Sequence, residues 1–349
     1  MLNKWTTPVL QPFTGQQIPA FLHGVITPMF TPCNQDGSFD EKGIRSFVDY
    51  LIGTESITAL FARSGLGRMY SFSMEDVKWY TDTIIDQAAE RIPVMIGTTG
   101  IWGRDFNKRP GNAVFTRQSI ELSQYAQKKG AVAAVLVLPM ALQPEDGKPL
   151  EDTIFSYYKA VGAEIDLPII LYQQPGLAEE YCMTPNLLRR LLTIPNVAGM
   201  KYSTGDMVKF SELTMAAEGT NFAFIAGDEL AFFFAIMLGA SGVIGQGSDV
   251  NPETLRAVYD RLMKHDFAGA LEAHYDSLRA GLVSEGYDCV ISGFKYFASK
   301  GANVQPFTRG HGVSDYRSAP PVIPGDWMAA FSKEIDRLRG KYPKHDPWA

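Results

Sequence analysis

Lys201 and Tyr172 are the two side chains of this sequence whose types and placement suggest chemistry. Lys201 closes the short apolar run Val-Ala-Gly-Met-Lys, residues 197–201, and Tyr172 closes Leu-Pro-Ile-Ile-Leu-Tyr, residues 167–172. Lysine is among the residues least often buried. A lysine at the end of an apolar strand has two readings. In the plain one, the strand has ended and the chain has met water. In the chemical one, a partly dry site favours the neutral amine, which attacks carbonyl carbon. A phenol beside it can move the protons that such an attack requires. The surrounding elements decide between the two.

Those elements recur at a steady interval. Short apolar runs at 23–30, 57–62, 92–98, 132–139, 167–172, 197–201, 222–227 and 241–246 read as strands covered on both faces. Amphipathic stretches fall between them. The stretch 40–53 opens on Asp40 and stops at Gly53; 73–90 has Ser73 as a candidate N-cap; 114–130 ends in Lys128, Lys129 and Gly130. Eight strand–helix units in series argue for a (β/α)8 TIM barrel, an α/β fold. A doubly wound sheet usually has fewer strands and often a glycine-rich first turn, which is not found here. The expected organisation is an irregular N-terminal arm over 1–20, a barrel over 21–248 and a C-terminal helical extension over 249–349. The run 230–240 is too short to span a membrane and reads as a buried helix. In a barrel, chemistry gathers at the C-terminal ends of the strands. Lys201 and Tyr172 end the sixth and fifth, so their side chains are expected to share one cavity.

The composition narrows the function. The 349 residues are 46% hydrophobic and 20% charged, enough for a large core. A net charge of −6 gives no electrostatic case for nucleic acid or an anionic membrane. The N-terminus lacks the apolar run of a secretory signal. Cys33, Cys182 and Cys289 are odd in number and widely spaced, which suggests neither a disulfide framework nor a zinc ribbon, and points to a reducing, cytoplasmic setting. The five histidines form no close pair with metal-ligand spacing.

A neutral Lys201 amine forms a Schiff base with a 2-oxo acid, and the iminium makes bonds at C3 and C4 breakable. Over about residues 22–300 the sequence resembles the dihydrodipicolinate synthase and N-acetylneuraminate lyase superfamily of class I Schiff-base lyases. "GVITPMFTPCNQDGSFDEKGIRSFVDYLI" is similar to its first strand, Thr-Pro turn and first helix. "YQQP" resembles its Tyr-x-x-Pro element, "GMKYSTGD" its Gly-x-Lys element, and "GASGVIG" its eighth-strand segment. The resemblance implies Lys201 as nucleophile and Tyr172 as acid/base. It implies no metal or organic cofactor, the only covalent group being the lysine Schiff base. It further implies a small-molecule 2-oxo acid substrate and a homotetramer.

The chain departs from the family pattern at several points. Where the family carries Gly-Thr-Thr-Gly-Glu, this chain has Ser64-Gly65-Leu66-Gly67-Arg68. Both threonines are gone, so the backbone amides of Gly65 and Leu66 are expected to hold the substrate carboxylate. Arg68 is expected to recognise an acidic or hydroxylated substrate tail, with a surface arginine as the alternative. Ser203 and Ile244 are expected to shape the pocket, Ser203 having a helix N-cap as its alternative. Asp228 and Glu229 read as acids opening the next helix. "IGTTG" at 96–100 imitates the lost signature but follows the third strand, so no carboxylate role passes to Thr98 or Thr99. The loop after it, 101–112, looks inserted and carries Trp102, Arg104, Lys108 and Arg109. Met140 and Ala141 stand where the synthases have a relay tyrosine, and Leu177 where they have a carboxylate-binding arginine. The expectation is a Schiff-base lyase, aldolase or dehydratase, for a 2-oxo acid such as a 2-keto-3-deoxy sugar acid, and not lysine biosynthesis. The alternative is a non-catalytic binding or regulatory paralogue. A metal-dependent barrel hydrolase lacks a ligand set.

Overall fold

The computed structural model describes residues 4–145, 147–284, 288–310 and 322–348. Eight parallel strands close into a barrel: β1 (Gly24–Thr27), β2 (Ala59–Ala62), β3 (Val94–Gly97), β4 (Ala133–Val137), β5 (Ile169–Gln173), β6 (Val197–Tyr202), β7 (Ala223–Ala226) and β8 (Ala240–Val243). Each strand pairs with its sequence neighbours, and β8 closes on β1. All eight lie within or within a residue of the apolar runs, because a strand covered on both faces has few polar positions to blur it. Between them run α1 (Glu41–Ile52), α2 (Met74–Ala88), α3 (Asn112–Lys129), α4 (Leu150–Gly162), α5 (Pro185–Leu191), α6 (Met207–Ala216) and α7 (Phe232–Met237). Asp40 caps α1 through the Gly43 N–H. Ser73 and Asp76 form a reciprocal capping box on α2. Gly130 ends α3 in the left-handed conformation.

After the barrel come a short turn of helix, α8 (Gly247–Val250), then α9 (Pro252–Met263), α10 (Phe267–Ser284), α11 (Cys289–Ser299) and α12 (Gly325–Lys341). α11 inserts Phe294 and Phe297 against Phe30 and Phe47. α12 is tied to α10 through Asp276, a buried carboxylate that receives Arg337, Lys341 and the Tyr342 hydroxyl. Those donors hold it well below the usual carboxylate range, although burial alone would raise it. No helix among the described residues is long and apolar enough to cross a membrane.

The N-terminal arm is more regular than the sequence suggests. Pro8–Leu10 and Gln17–Pro19 form an antiparallel pair. Three-residue strands are too short to leave an alternation in the sequence, which is why the arm reads as irregular. It is anchored by Gln11, whose amide donates to the Ala240 carbonyl at 2.8 Å. Trp5, Ile18, Phe21 and Leu22 join the barrel-interior cluster.

Alternation along β5 and β6 sets the side chains that matter. Leu171, Met200 and Tyr202 belong to the outer core between strands and helices, while Tyr172 belongs to the interior cluster. Tyr172 and Lys201 are direct register partners. Slipping one strand by a single residue would move its whole interior set to the outer face. The interior tolerates little added volume: a Cβ on Gly97 at the end of β3 would sit 2.4 Å from the Arg63 carbonyl oxygen. Gly97→Ala therefore has to spread the β2–β3 pair. Overpacking of this kind costs about 1–3 kcal/mol, and urea unfolding should show that loss against a wild-type control.

Candidate active site

The C-terminal ends of the strands open into a cavity of about 580 Å³. Its floor is Lys201 and Tyr172. Lys201 is 4% exposed, and its Nζ lies 4.4 Å from the Tyr172 ring centroid and 6.0 Å from that of Phe61. Burial pushes the lysine down to about 7. Asp249 and Glu229 pull the other way, favouring the ammonium, and are outweighed. Asp249 is a weak counterion: it is itself fully buried, and that burial lifts its carboxyl well above the usual range. One of its oxygens accepts the Phe30 N–H and the other has no hydrogen-bond partner among the described residues. Lys201 is thus a buried amine packed against aromatic rings, where desolvation outweighs the two nearby acids, the environment in which a nucleophilic lysine is generated.

Tyr172 is 4% exposed. Burial raises its phenol well above the usual range, with Ser203 hydrogen bonding to it as the main opposing effect. The phenol is therefore protonated across physiological pH. A Cβ at Gly65 would come within 3.0 Å of Tyr172 Oη, so glycine there lets the phenol stand against the β2 loop.

That loop is held from below. Ser64 Oγ donates to the Pro28 carbonyl and accepts the Gly67 N–H at 2.9 Å, and Thr31 Oγ1 donates to the Gly67 carbonyl at 2.8 Å. Arg63, fully buried, clamps it to the β3 loop by donating to Gly97 O at 3.0 Å and Thr99 O at 2.7 Å. The N–H groups of Gly65 and Leu66 meet no protein acceptor among the described residues, and both residues line the cavity. An anion can take them. Thr98 and Thr99 bond elsewhere, to Ser123 Oγ and to the Val137 N–H, as structural ties.

Ser203 and Ile244 line the cavity. Ser203 does not cap α6; that role falls to Asp206, which accepts the Val208 and Lys209 N–H groups. Asp228 caps the turn after β7, but Glu229 does more than open a helix: it is buried, lines the cavity and accepts the Gly247 N–H at 2.6 Å.

Arg68 is the expectation to correct. It does not line the cavity. Its guanidinium, 5% exposed, pairs with Asp288 at 3.0 Å. Asp288 is the N-cap of α11, so the arginine ties the β2 loop to the C-terminal helices. Neither alternative from the sequence, substrate grip or surface charge, describes it. The arginine in the cavity wall is instead Arg104, from the inserted loop. Tyr70 and Gln174, joined by a hydrogen bond from the Gln174 amide to the Tyr70 hydroxyl, complete that wall. Sequence reasoning missed Tyr70, Gln174 and Asp249: Gln174 fills a variable position of the Tyr-x-x-Pro element, and Tyr70 and Asp249 lie in single short turns of helix with no motif to mark them.

Removing one partner of a buried ion pair costs about 3–5 kcal/mol. Asp288 is only partly buried, so Arg68→Met should cost less, about 1–3 kcal/mol by chemical denaturation. A change confined to substrate affinity, with stability untouched, would contradict the tie.

Residues 21–296 match the Dihydrodipicolinate synthetase family. A 4-hydroxy-tetrahydrodipicolinate synthase from Nitrosospira multiformis is 29% identical over 262 residues, 75% of this chain and 80% of the relative. Among solved structures, dihydrodipicolinate synthase from Acinetobacter baumannii, complexed with pyruvate, superposes with a TM-score of 0.71 at 24% identity, covering 91% of this chain and 99% of that one. N-acetylneuraminate lyase from Mycoplasma synoviae gives 0.72 at 17% identity, covering 92% and 98%.

Proposed function

Because the chain belongs to the Dihydrodipicolinate synthetase family, whose lyases act through a lysine Schiff base, we propose that it is a class I lyase in which Lys201 forms the imine with a 2-oxo acid. The observation that carries this reading is the buried Lys201 amine, brought down to about 7, directly in register with the buried Tyr172 phenol.

The substrate carboxylate sits on the Gly65 and Leu66 N–H groups. The neutral Lys201 amine adds to C2, giving a carbinolamine. Tyr172 gives its proton to the departing hydroxyl, which leaves as water, and the nitrogen becomes an iminium. The Tyr172 phenolate then takes the proton of the C4 hydroxyl. The C3–C4 bond breaks, its electron pair enters an enamine, and C4 leaves as an aldehyde. Proton return to C3 and hydrolysis release the shorter 2-oxo acid and restore the lysine. Dehydration uses the same iminium: a C3 proton is lost and hydroxide leaves C4 with a proton as water. Ser203, hydrogen bonded to Tyr172, orients the phenol, and Ile244 fills the interior wall. Arg68 has no part in this sequence. A 2-keto-3-deoxy sugar acid fits these steps, and the absence of an arginine at Leu177 argues against aspartate semialdehyde as partner.

Pyruvate with borohydride should leave a stable mass increment on the peptide containing Lys201, absent in Lys201→Ala. An unmodified wild-type protein at high pyruvate would refute the imine. Tyr172→Phe keeps the ring and should lower kcat about 10²–10⁴-fold with little change in KM, measured with any 2-oxo acid that turns over. We also propose a homotetramer. Phe234 and Met237 on α7 and Tyr275 on α10 are large exposed apolar side chains, with His274 bridging the two helices by its contact with Phe234. Such faces suit subunit contacts, and light scattering at micromolar concentration should give four chains per particle.

A further inference from the structure

We infer that Arg104 receives a second carboxylate, at the far end of the substrate from the Schiff base, so that the site selects 2-oxo dicarboxylic acids. The inference rests on the lyase reading above for the near end of the substrate, and on the cavity wall for the far end.

Arg104 is held in the wall by a built support. Trp102 is buried, and its indole N–H donates to the Asp105 carbonyl at 3.0 Å, closing the loop into a tight turn. Trp102 meets the Tyr70 ring edge to face at 6.4 Å. The Tyr70 hydroxyl is fixed by Gln174. On the face of that ring lies the Arg104 guanidinium, 5.2 Å from the centroid. The Arg104 backbone is in the left-handed region, with φ 63, a conformation that costs a non-glycine residue free energy and clusters at functional sites.

The charge of Arg104 is uncommitted. The acid on its own loop, Asp105, pairs with Lys108. Arg68 has Asp288. Arg104 has no ion-pair partner among the described residues, and it is exposed toward the cavity mouth. Asp228 and Glu229 line the cavity from the loop after β7, which lies four strands round the barrel from β3. The cavity is therefore polarised among the described residues, and the Arg104 side is the one that attracts a second negative group. A carboxylate matches one planar guanidinium in a two-point contact. A phosphate would call for more positive charge than one arginine opposite two acids supplies.

The test compares two ligands of equal length, 2-oxoglutarate and 2-oxopentanoate, which differ only in the terminal carboxylate. Calorimetric titration at low salt should show wild type preferring 2-oxoglutarate by about tenfold, a preference that shrinks with added salt. Arg104→Gln should abolish the preference by weakening 2-oxoglutarate alone, and Arg104→Lys should restore part of it. Unchanged thermal stability in these variants would tie the loss to the side chain. A preference that survives Arg104→Gln, or no preference in wild type, overturns the inference. Borohydride capture of pyruvate on the same proteins reads the other end independently. Capture intact in Arg104→Gln is the expected result. Failed capture in wild type would strike the lyase reading, while the two-ligand comparison would still decide the role of Arg104.

Discussion

The structure turns on the desolvation of one amine. Lys201 sits in the barrel interior because β6 is in register with β5 and its pleat turns this position inward. There its charge loses hydration, and neither Asp249 nor Glu229 restores the loss. The consequence for stability has a definite sign. An unfolded lysine keeps its proton up to about pH 10.4, while the folded one releases it near 7. Between those values the unfolded chain holds more protons, so the contribution of this residue to stability rises with pH. Below about 7 the native state must bury a charge. The site is therefore less stable than an apolar barrel interior would be, and the barrel has to supply the difference through packing.

Packing around the cavity is arranged loop by loop. The β2 loop is pinned by Ser64, Thr31 and Arg63 from beneath and by the Arg68–Asp288 pair from the C-terminal helices. The β3 loop folds around Trp102 and presents Arg104. The helices after the barrel thus bear on the site: α11 caps on the same carboxylate that Arg68 grips.

Most of the scaffold was legible in the sequence because buried parallel strands are short, continuous and apolar. The runs ending in Tyr172 and Lys201 located the strands, whereas the chemical reading of the two side chains needed the order of the surrounding elements and the family resemblance, since a polar residue closing an apolar run also marks a strand that has met water. The capping residues Asp40 and Ser73 were legible for local reasons, their side chains bonding within a few positions in sequence. Contacts across long sequence separation were not. Arg68 meets a partner 220 positions away, so sequence could not tell a substrate contact from an internal tie. Glu229 looked like an ordinary acid at a helix start, because only the fold brings the Gly247 amide to it. Asp249 lies in a polar stretch, and nothing local announces that it is fully buried. Arg104 stood in a loop recognised as inserted, but its direction depends on Trp102 and Tyr70 meeting across two loops.

The central claim is that burial makes Lys201 a neutral amine at ordinary pH, and the pH dependence of imine formation tests it most directly. The rate of imine formation between the protein and pyruvate, followed by rapid mixing from pH 5 to 10, should rise with a midpoint near 7 and then level off, tracking the free amine. A rate that keeps climbing toward pH 10, as for a hydrated lysine, would contradict the account.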